Sequence, residues 1–205
     1  MSGSPTFATL ERKTVDEPSR VKVKRAVTWR STQMSDEHAG VTLVVAMGDL
    51  THEQCDAIVN AANSALAHGG GVAGAISRAA GPVLDRESRE WVREHGRVEA
   101  GQVAVTSAGR LRAIKHVIHA VGPLWEGRVS DALSEDEEYD IDDRTLLRGY
   151  EEDQVLRETV QHSLECAHQL RASSIALPAI SSGIFGYPVS GPTLSLFEAM
   201  YCVVY

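Results

Sequence analysis

Three stretches of this 205-residue chain place polar residues and glycines directly after short apolar runs. They are Met47-Gly48-Asp49-Leu50-Thr51, residues 60–74, and Ser181-Ser182-Gly183-Ile184-Phe185-Gly186. In α/β sandwiches ligands bind beyond the carboxyl ends of strands, so chemistry is expected at these places. The run Gly69-Gly70-Gly71-Val72-Ala73-Gly74 satisfies G-x-G-x-x-G literally. A dinucleotide fingerprint, however, needs its glycines in the turn directly after a strand, and residues 61–68 intervene here. An NAD-using oxidoreductase is disfavoured on that ground, and no Walker-type lysine loop is present. What survives is anion chemistry. Glycines let backbone N–H groups approach a phosphate, and a helix N-terminus behind them adds about half a positive charge. Gly183 and Gly186, around Ile184 and Phe185, offer a second backbone loop for the other side of a diphosphate, with Phe185 placed to stack on a sugar.

The remaining candidates are single side chains. Asp49 has the spacing of a helix N-cap, and its carboxylate can also accept from an exocyclic amine such as that of adenine. His68 is the titratable residue within the glycine motif, readable either as a catalyst or as a loop residue whose ring shapes the pocket. His116 and His119, three apart on a strand, face opposite sides, so a two-histidine metal site is not expected. Cys55, Cys166 and Cys202 form no C-x-x-C pair and suggest reduced thiols rather than a disulfide framework or zinc cage.

These residues need a scaffold, and the apolar patterning supplies one. Val21, Val23 and residues 26–29 favour strand, 31–40 is turn-rich, and 41–45 is a strand run, together an opening hairpin. Further strands are expected at 57–59, 103–106, 117–121 and 175–180. Residues 72–80 and 83–95 read as helices, separated by Gly81-Pro82 and closed by Gly96. Val155, Leu156, Val160, Leu164, Ala167 and Leu170 recur at helical spacing over 154–171. Strands alternating with helices, several apolar on both faces, predict a three-layer α/β/α sandwich around a mixed sheet. Residues 1–20, without apolar periodicity, read as a disordered lead-in to a domain covering 21–205.

Composition narrows the function classes. With 43% hydrophobic and 23% charged residues the chain fits one globular domain with extensions. No apolar run reaches the roughly 20 residues that span a bilayer, and the N-terminus lacks the apolar core of a signal peptide, so no membrane role and a cytoplasmic or nuclear setting are expected. The net charge of −8 argues against a broad nucleic-acid surface. That charge is concentrated. Residues 126–153 hold twelve acids against Arg128, Arg144 and Arg148, a segment charge of −9, which leaves about +1 for the rest. The block reads as a solvated insertion, available to a basic partner.

Five ordered motifs resemble the macrodomain family: Gly48-Asp49-Leu50-Thr51 after a strand, Asp56-Ala57-Ile58-Val59-Asn60-Ala61-Ala62-Asn63, His68-Gly69-Gly70-Gly71-Val72-Ala73-Gly74-Ala75-Ile76, His119-Ala120-Val121-Gly122-Pro123, and Pro178-Ala179-Ile180-Ser181-Ser182-Gly183-Ile184-Phe185-Gly186. The resemblance runs from about Val41 to Thr193 and implies binding of ADP-ribose or of a mono-ADP-ribosylated protein. It implies that Asp49, with Leu50 beside it, meets the adenine, which displaces the N-cap reading. It implies that Gly69, Gly70, Gly71 and Val72, with Ser182, Gly183, Ile184, Phe185 and Gly186, cradle the diphosphate. Asn63 then hydrogen-bonds the distal ribose and Phe185 lies against it. Some family hydrolases carry aspartate where this chain has Ala73, and often histidine where it has Ser77. The phrase HGGGVAGAI is instead similar to viral macrodomains and to the first macrodomains of macrodomain-containing ADP-ribosyltransferases. Several of these release mono-ADP-ribose from acidic side chains without that aspartate. The implied activity is therefore such hydrolysis, with Asn63 and His68 as the candidate catalytic residues and without cofactor or metal; a non-catalytic reader is the alternative. Relative to the family pattern the chain stops before a final strand and helix, with residues 189–198 as a helix and MYCVVY as an improvised end, from which marginal stability is expected.

Overall fold

A computed structural model describes residues 26–30, 42–46, 48–125 and 143–187, with backbone alone for 26–30, 42–46 and 143–150. The chain divides into two compact units, 1–49 and 50–205. In the first, β1 (Ala26–Arg30) pairs antiparallel with β2 (Thr42–Ala46), Ala26 opposite Ala46, which is the expected hairpin.

The second unit opens with a single 3-10 turn at Leu50–His52 and runs through β3 (Ala57–Ala61), α1 (Gly71–Ala80), α2 (Pro82–His95), β4 (Val103–Ser107), β5 (His116–Ala120), α3 (Asp143–Gln169) and β6 (Ile175–Ala176). Its sheet has the order β4-β5-β3-β6. β3 runs parallel to β5 and β6, and β4 runs antiparallel to β5, so the sheet is mixed as expected. Alternation along the strands supplies two apolar faces. Ala57 and Val59 of β3, with Ile118 and Ala120 of β5, pack against Leu156 and Val160 of α3. Ile58 and Val117, one residue over, pack against Ile76 and Ala80 of α1 and Leu84 of α2. A sheet buried on both sides explains why β3 and β5 read as continuous apolar runs rather than alternating ones. At the amino end of β3, Asp56 accepts from Lys115 Nζ at 2.8 Å and from the amide and hydroxyl of Ser173, which hold its carboxyl well below the usual carboxylate range. This clasp ties the start of β3 to the turn that feeds β6.

Two expectations require correction. The third helix begins at Asp143, eleven residues before the expected 154, so the second half of the acidic block is helical and the helix is about 40 Å long. Asp143 stands in its first turn, where the positive end of the helix dipole favours an acid, and Arg148 precedes Glu151 and Glu152 by three and four residues, so opposite charges recur at helical spacing and offset the mutual repulsion that suggested a loop. The expected strand 175–180 pairs only at Ile175 and Ala176. Pro178 has no N–H to give to a ladder, and the chain turns away there into the 179–187 loop. Residues 1–20, the acidic segment up to 142 and residues 188–205 lie outside the described residues.

Candidate ligand-binding site

The loops that follow β3, β5 and β6 converge at one end of the sheet. Between them lies a cavity of about 450 Å³. Three backbone segments build it. Ala61, Ala62 and Asn63 leave the carboxyl end of β3, and Ala67, Gly69, Gly70, Gly71, Val72 and Ala73 lead into α1. Ala120 and Gly122 leave β5, and residues 179–185 close the other side. Gly122 is required by this convergence. A Cβ there would collide with Ser181 Oγ and sit 2.7 Å from Ile180 Cγ2, so only a bare backbone lets the post-β5 and post-β6 loops touch.

The polar groups offered to the cavity are main-chain amides. α1 makes its first backbone hydrogen bond from Gly74 N to Gly70 O at 2.9 Å, and among the described residues the first-turn amides of Gly71, Val72 and Ala73 have no hydrogen-bond partner. Gly70, the residue before the helix, provides no capping side chain. Across the cavity, Gly186 N donates to Gly183 O at 3.0 Å and Trp125 N to Phe185 O at 2.9 Å, which shapes the 183–186 turn. The amides of Gly183, Ile184 and Phe185 have no hydrogen-bond partner among the described residues. Two sets of unpaired donors therefore flank one cavity, and the dipole of α1 adds positive potential to the first. Around Gly69, Gly70 and Gly183 a Cβ would meet nothing within 4 Å, and none of the three has a positive φ. The fold alone does not require glycine at these places.

Asn63 is held by its own loop. Its Oδ1 accepts from the amides of Ala65 at 3.2 Å and Ala67 at 3.0 Å, and its Nδ2 donates to Ala67 O at 2.8 Å. One amide proton remains for a ligand, on a side chain whose rotamer is already set. Phe185, half-buried, lines the wall, and Ile184 stands 88% exposed at the rim. Ser182, Gly183 and Val72 also line the cavity. Gly186 does not, but its φ of 71° closes the turn that presents the 183–185 amides.

Other expected residues are placed differently. The Leu50 side chain packs against the Ile58 and Ile76 cluster rather than lining the cavity. Asp49, exposed, ends the first unit. His68 precedes the glycines, yet its ring is absent from the cavity wall. Its Nε2 lies 2.9 Å from Ser88 Oγ, its Nδ1 3.4 Å from Asn60 Nδ2, and the ring stacks on His119 at 5.2 Å. With both nitrogens engaged inside the protein, His68 has none to offer a substrate, because Asn60 on β3 and Ser88 on α2 hold the ring inward. Burial also lowers its pKa. Among the described residues the wall contains no ionisable side chain. Residues that the sequence reading passed over, among them Ala61, Ala62, Ala67, Ala120, Ala179 and Ser181, line the cavity through their smallness and backbone course.

His119 is wholly buried, and desolvation first, then the neighbouring His68, lowers its pKa from 6.5 to about 3. The folded state thus prefers the neutral imidazole while the unfolded chain takes up a proton near 6.5. This contribution to stability is complete above pH 6.5 and is lost progressively as pH falls toward 3, at up to about 1.4 kcal/mol per pH unit. Urea midpoints should accordingly fall more steeply between pH 6.5 and 4 in the unaltered chain than in His119→Gln. Parallel pH profiles would refute the assignment.

The Macro domain family model matches residues 59–191. The chain belongs to the macrodomain family. The matched span runs from the middle of β3 through all three segments that form the cavity. This macrodomain is 52% identical over 149 residues to an uncharacterized protein of Pyrobaculum aerophilum, covering 73% of this chain and 69% of that one. It is 38% identical over 156 residues to the O-acetyl-ADP-ribose deacetylase of Cronobacter sakazakii, covering 76% and 75%. Among solved structures, the Oceanobacillus iheyensis macrodomain with ADP superposes with a TM-score of 0.68 at 28% identity, over 88% of this chain and 83% of that one. The family binds ADP-ribose and contains both catalytic and non-catalytic members.

Proposed function

We propose that the cavity binds ADP-ribose and that this macrodomain releases mono-ADP-ribose from acidic side chains of modified proteins. The observation that carries the reading is the pair of unsatisfied amide sets facing each other across the cavity. Together they suit a diphosphate without lysine or arginine. ADP bound to a similar macrodomain, and a Cronobacter relative that is an O-acetyl-ADP-ribose deacetylase, support the ligand class.

Among the described residues the cavity wall carries no ionisable group, which favours a particular bond. In an ester between the anomeric carbon of the ribose and an aspartate or glutamate, the leaving group is a carboxylate, stable as an anion near neutral pH. Water attacks, the bond between sugar and carboxyl oxygen breaks, the carboxylate keeps the electron pair, and the water proton passes to solvent. No side-chain acid is needed. Orientation of the ribose by Asn63 and of the diphosphate by the amides supplies the catalysis. An arginine-linked ADP-ribose would need its poorer leaving group protonated, and the wall offers no acid for that step. The same absence also favours the non-catalytic reader.

Incubation with proteins labelled through glutamate or through arginine separates these readings. Loss of label from the glutamate-linked protein alone is the expected result. Full retention of both labels, alongside calorimetric binding of ADP-ribose, would leave the reader as the function.

A further inference from the structure

Beneath the cavity, on the sheet face covered by α1 and α2, lies a polar chain in an otherwise apolar layer. Asn60 on β3 and His119 on β5 are register partners, each wholly buried. Asn60 Nδ2 is 2.9 Å from His119 Nδ1 and 3.4 Å from His68 Nδ1. His119 Nε2 is 2.9 Å from Thr106 Oγ1, and His68 Nε2 is 2.9 Å from Ser88 Oγ.

The proton positions follow from one end of this chain. Thr106 Oγ1 donates to Ser107 O at 3.1 Å, so it must accept from His119 Nε2–H. His119 Nδ1 is then an acceptor, and the atom of Asn60 facing it must be the amide nitrogen. The second proton of that nitrogen faces His68 Nδ1, which makes His68 an Nε2–H imidazole donating to Ser88 Oγ. A single amide thus sets the tautomer of both histidines. The arrangement costs stability, because Asn60 Oδ1 is buried with no partner. A leucine-like residue would serve the apolar layer better, and an orphaned buried group calls for an explanation outside packing.

The explanation lies in the residue after the ring. His68 leads directly into Gly69, Gly70 and Gly71, and its carbonyl oxygen lies 3.6 Å from where a Cβ on Gly74 would stand, against the first turn of α1. Its ring is clamped from β3, β5 and α2, and its main chain is pressed on α1. We infer that Asn60 is a positioning residue for the ligand site: by locking His68 it fixes the path of the glycine loop and the aim of the Gly71, Val72 and Ala73 amides. This rests on the reading of the cavity as an ADP-ribose site. The groups facing His68 are Asp85 on α2, which favours its protonation, Ser88 on the same helix, and Asn60 and His119 from the sheet.

The test uses the full chain, imidazole nitrogen NMR and calorimetry with ADP-ribose at pH 7.5. In the unaltered protein both His68 and His119 should report the neutral Nε2–H form. Asn60→Asp replaces the two donors by an acceptor, so His68 should change to a form protonated at Nδ1, with ADP-ribose affinity falling about tenfold or more. Ser88→Ala, a smaller change that keeps the folded chain available if the first variant does not fold, should weaken binding severalfold. An Nδ1–H His68 in the unaltered protein, or either folded variant binding with unaltered affinity, overturns the inference. Failure of the unaltered protein to bind ADP-ribose, with both tautomers as expected, overturns the cavity reading itself and the positioning role with it.

Discussion

Gly183→Glu should weaken ADP-ribose binding by at least about 100-fold, because a like charge set against a buried diphosphate costs several kcal/mol. The folded protein should hardly notice. Gly183 is exposed, has no positive φ, and a Cβ on it meets nothing within 4 Å. The melting temperature should therefore stay within about 2 °C of the unaltered value. The pairing of these two readouts gives the experiment its force. A glycine needed for a turn fails in both, whereas a glycine needed for an anion fails only in binding. Gly109 illustrates the first kind. Its φ is 57°, and a Cβ there would run into Ala80 O and stand 2.6 Å from Val83 Cγ1, so its substitution reports on folding and not on a ligand. Calorimetric titration of AMP and ADP extends the test, since AMP lacks the diphosphate that the amides are proposed to hold. Unaltered ADP affinity in Gly183→Glu would place the diphosphate elsewhere.

The convergence of the glycine loops was legible in the residues, because the polar, glycine-bearing stretches at 60–74 and 181–186 each follow a short apolar run, and both line one cavity. Gly69, Gly70 and Gly183 sit where the backbone makes no demand for glycine, and their side-chain-free surface leaves main chain open to the cavity. The three layers were legible for a related reason: β3 and β5 are apolar on both faces, which only a sheet covered on both sides can use. What the residues concealed is the direction in which His68 points. A histidine beside a glycine loop reads as a catalyst. Its ring is instead drawn under the loop by hydrogen bonds to Asn60 and Ser88, eight and twenty residues away in sequence, and spacing carries no trace of such contacts. The early start of α3 was hidden by charge, since a run of acids repels itself as a loop but is tolerated at a helix amino end. The short β6 was hidden by hydrophobicity, since Leu177 and Ile180 are apolar core contributors without being strand.

Asn63→Ala should reduce turnover of a glutamate-linked substrate by about 100-fold, the usual cost of removing one preorganised donor at a reacting centre. Asn63 serves two ends. Its Oδ1 and one Nδ2 proton are used within residues 63–67, closing the loop between β3 and the glycines. The remaining proton is free for the ribose hydroxyls. Loss of the first set should cost about 1 kcal/mol of stability, a fall of a few degrees in melting temperature. Loss of the second should appear in kcat rather than in ADP-ribose affinity, because the diphosphate amides that dominate binding belong to α1 and the 183–185 turn and are untouched. The two losses are separable by experiment. If affinity falls as far as turnover, Asn63 contributes uniform binding and not orientation of the reacting sugar. If turnover stays within about threefold of the unaltered enzyme, the amide has no part in the reaction, and the diphosphate cradle alone must organise the attacking water.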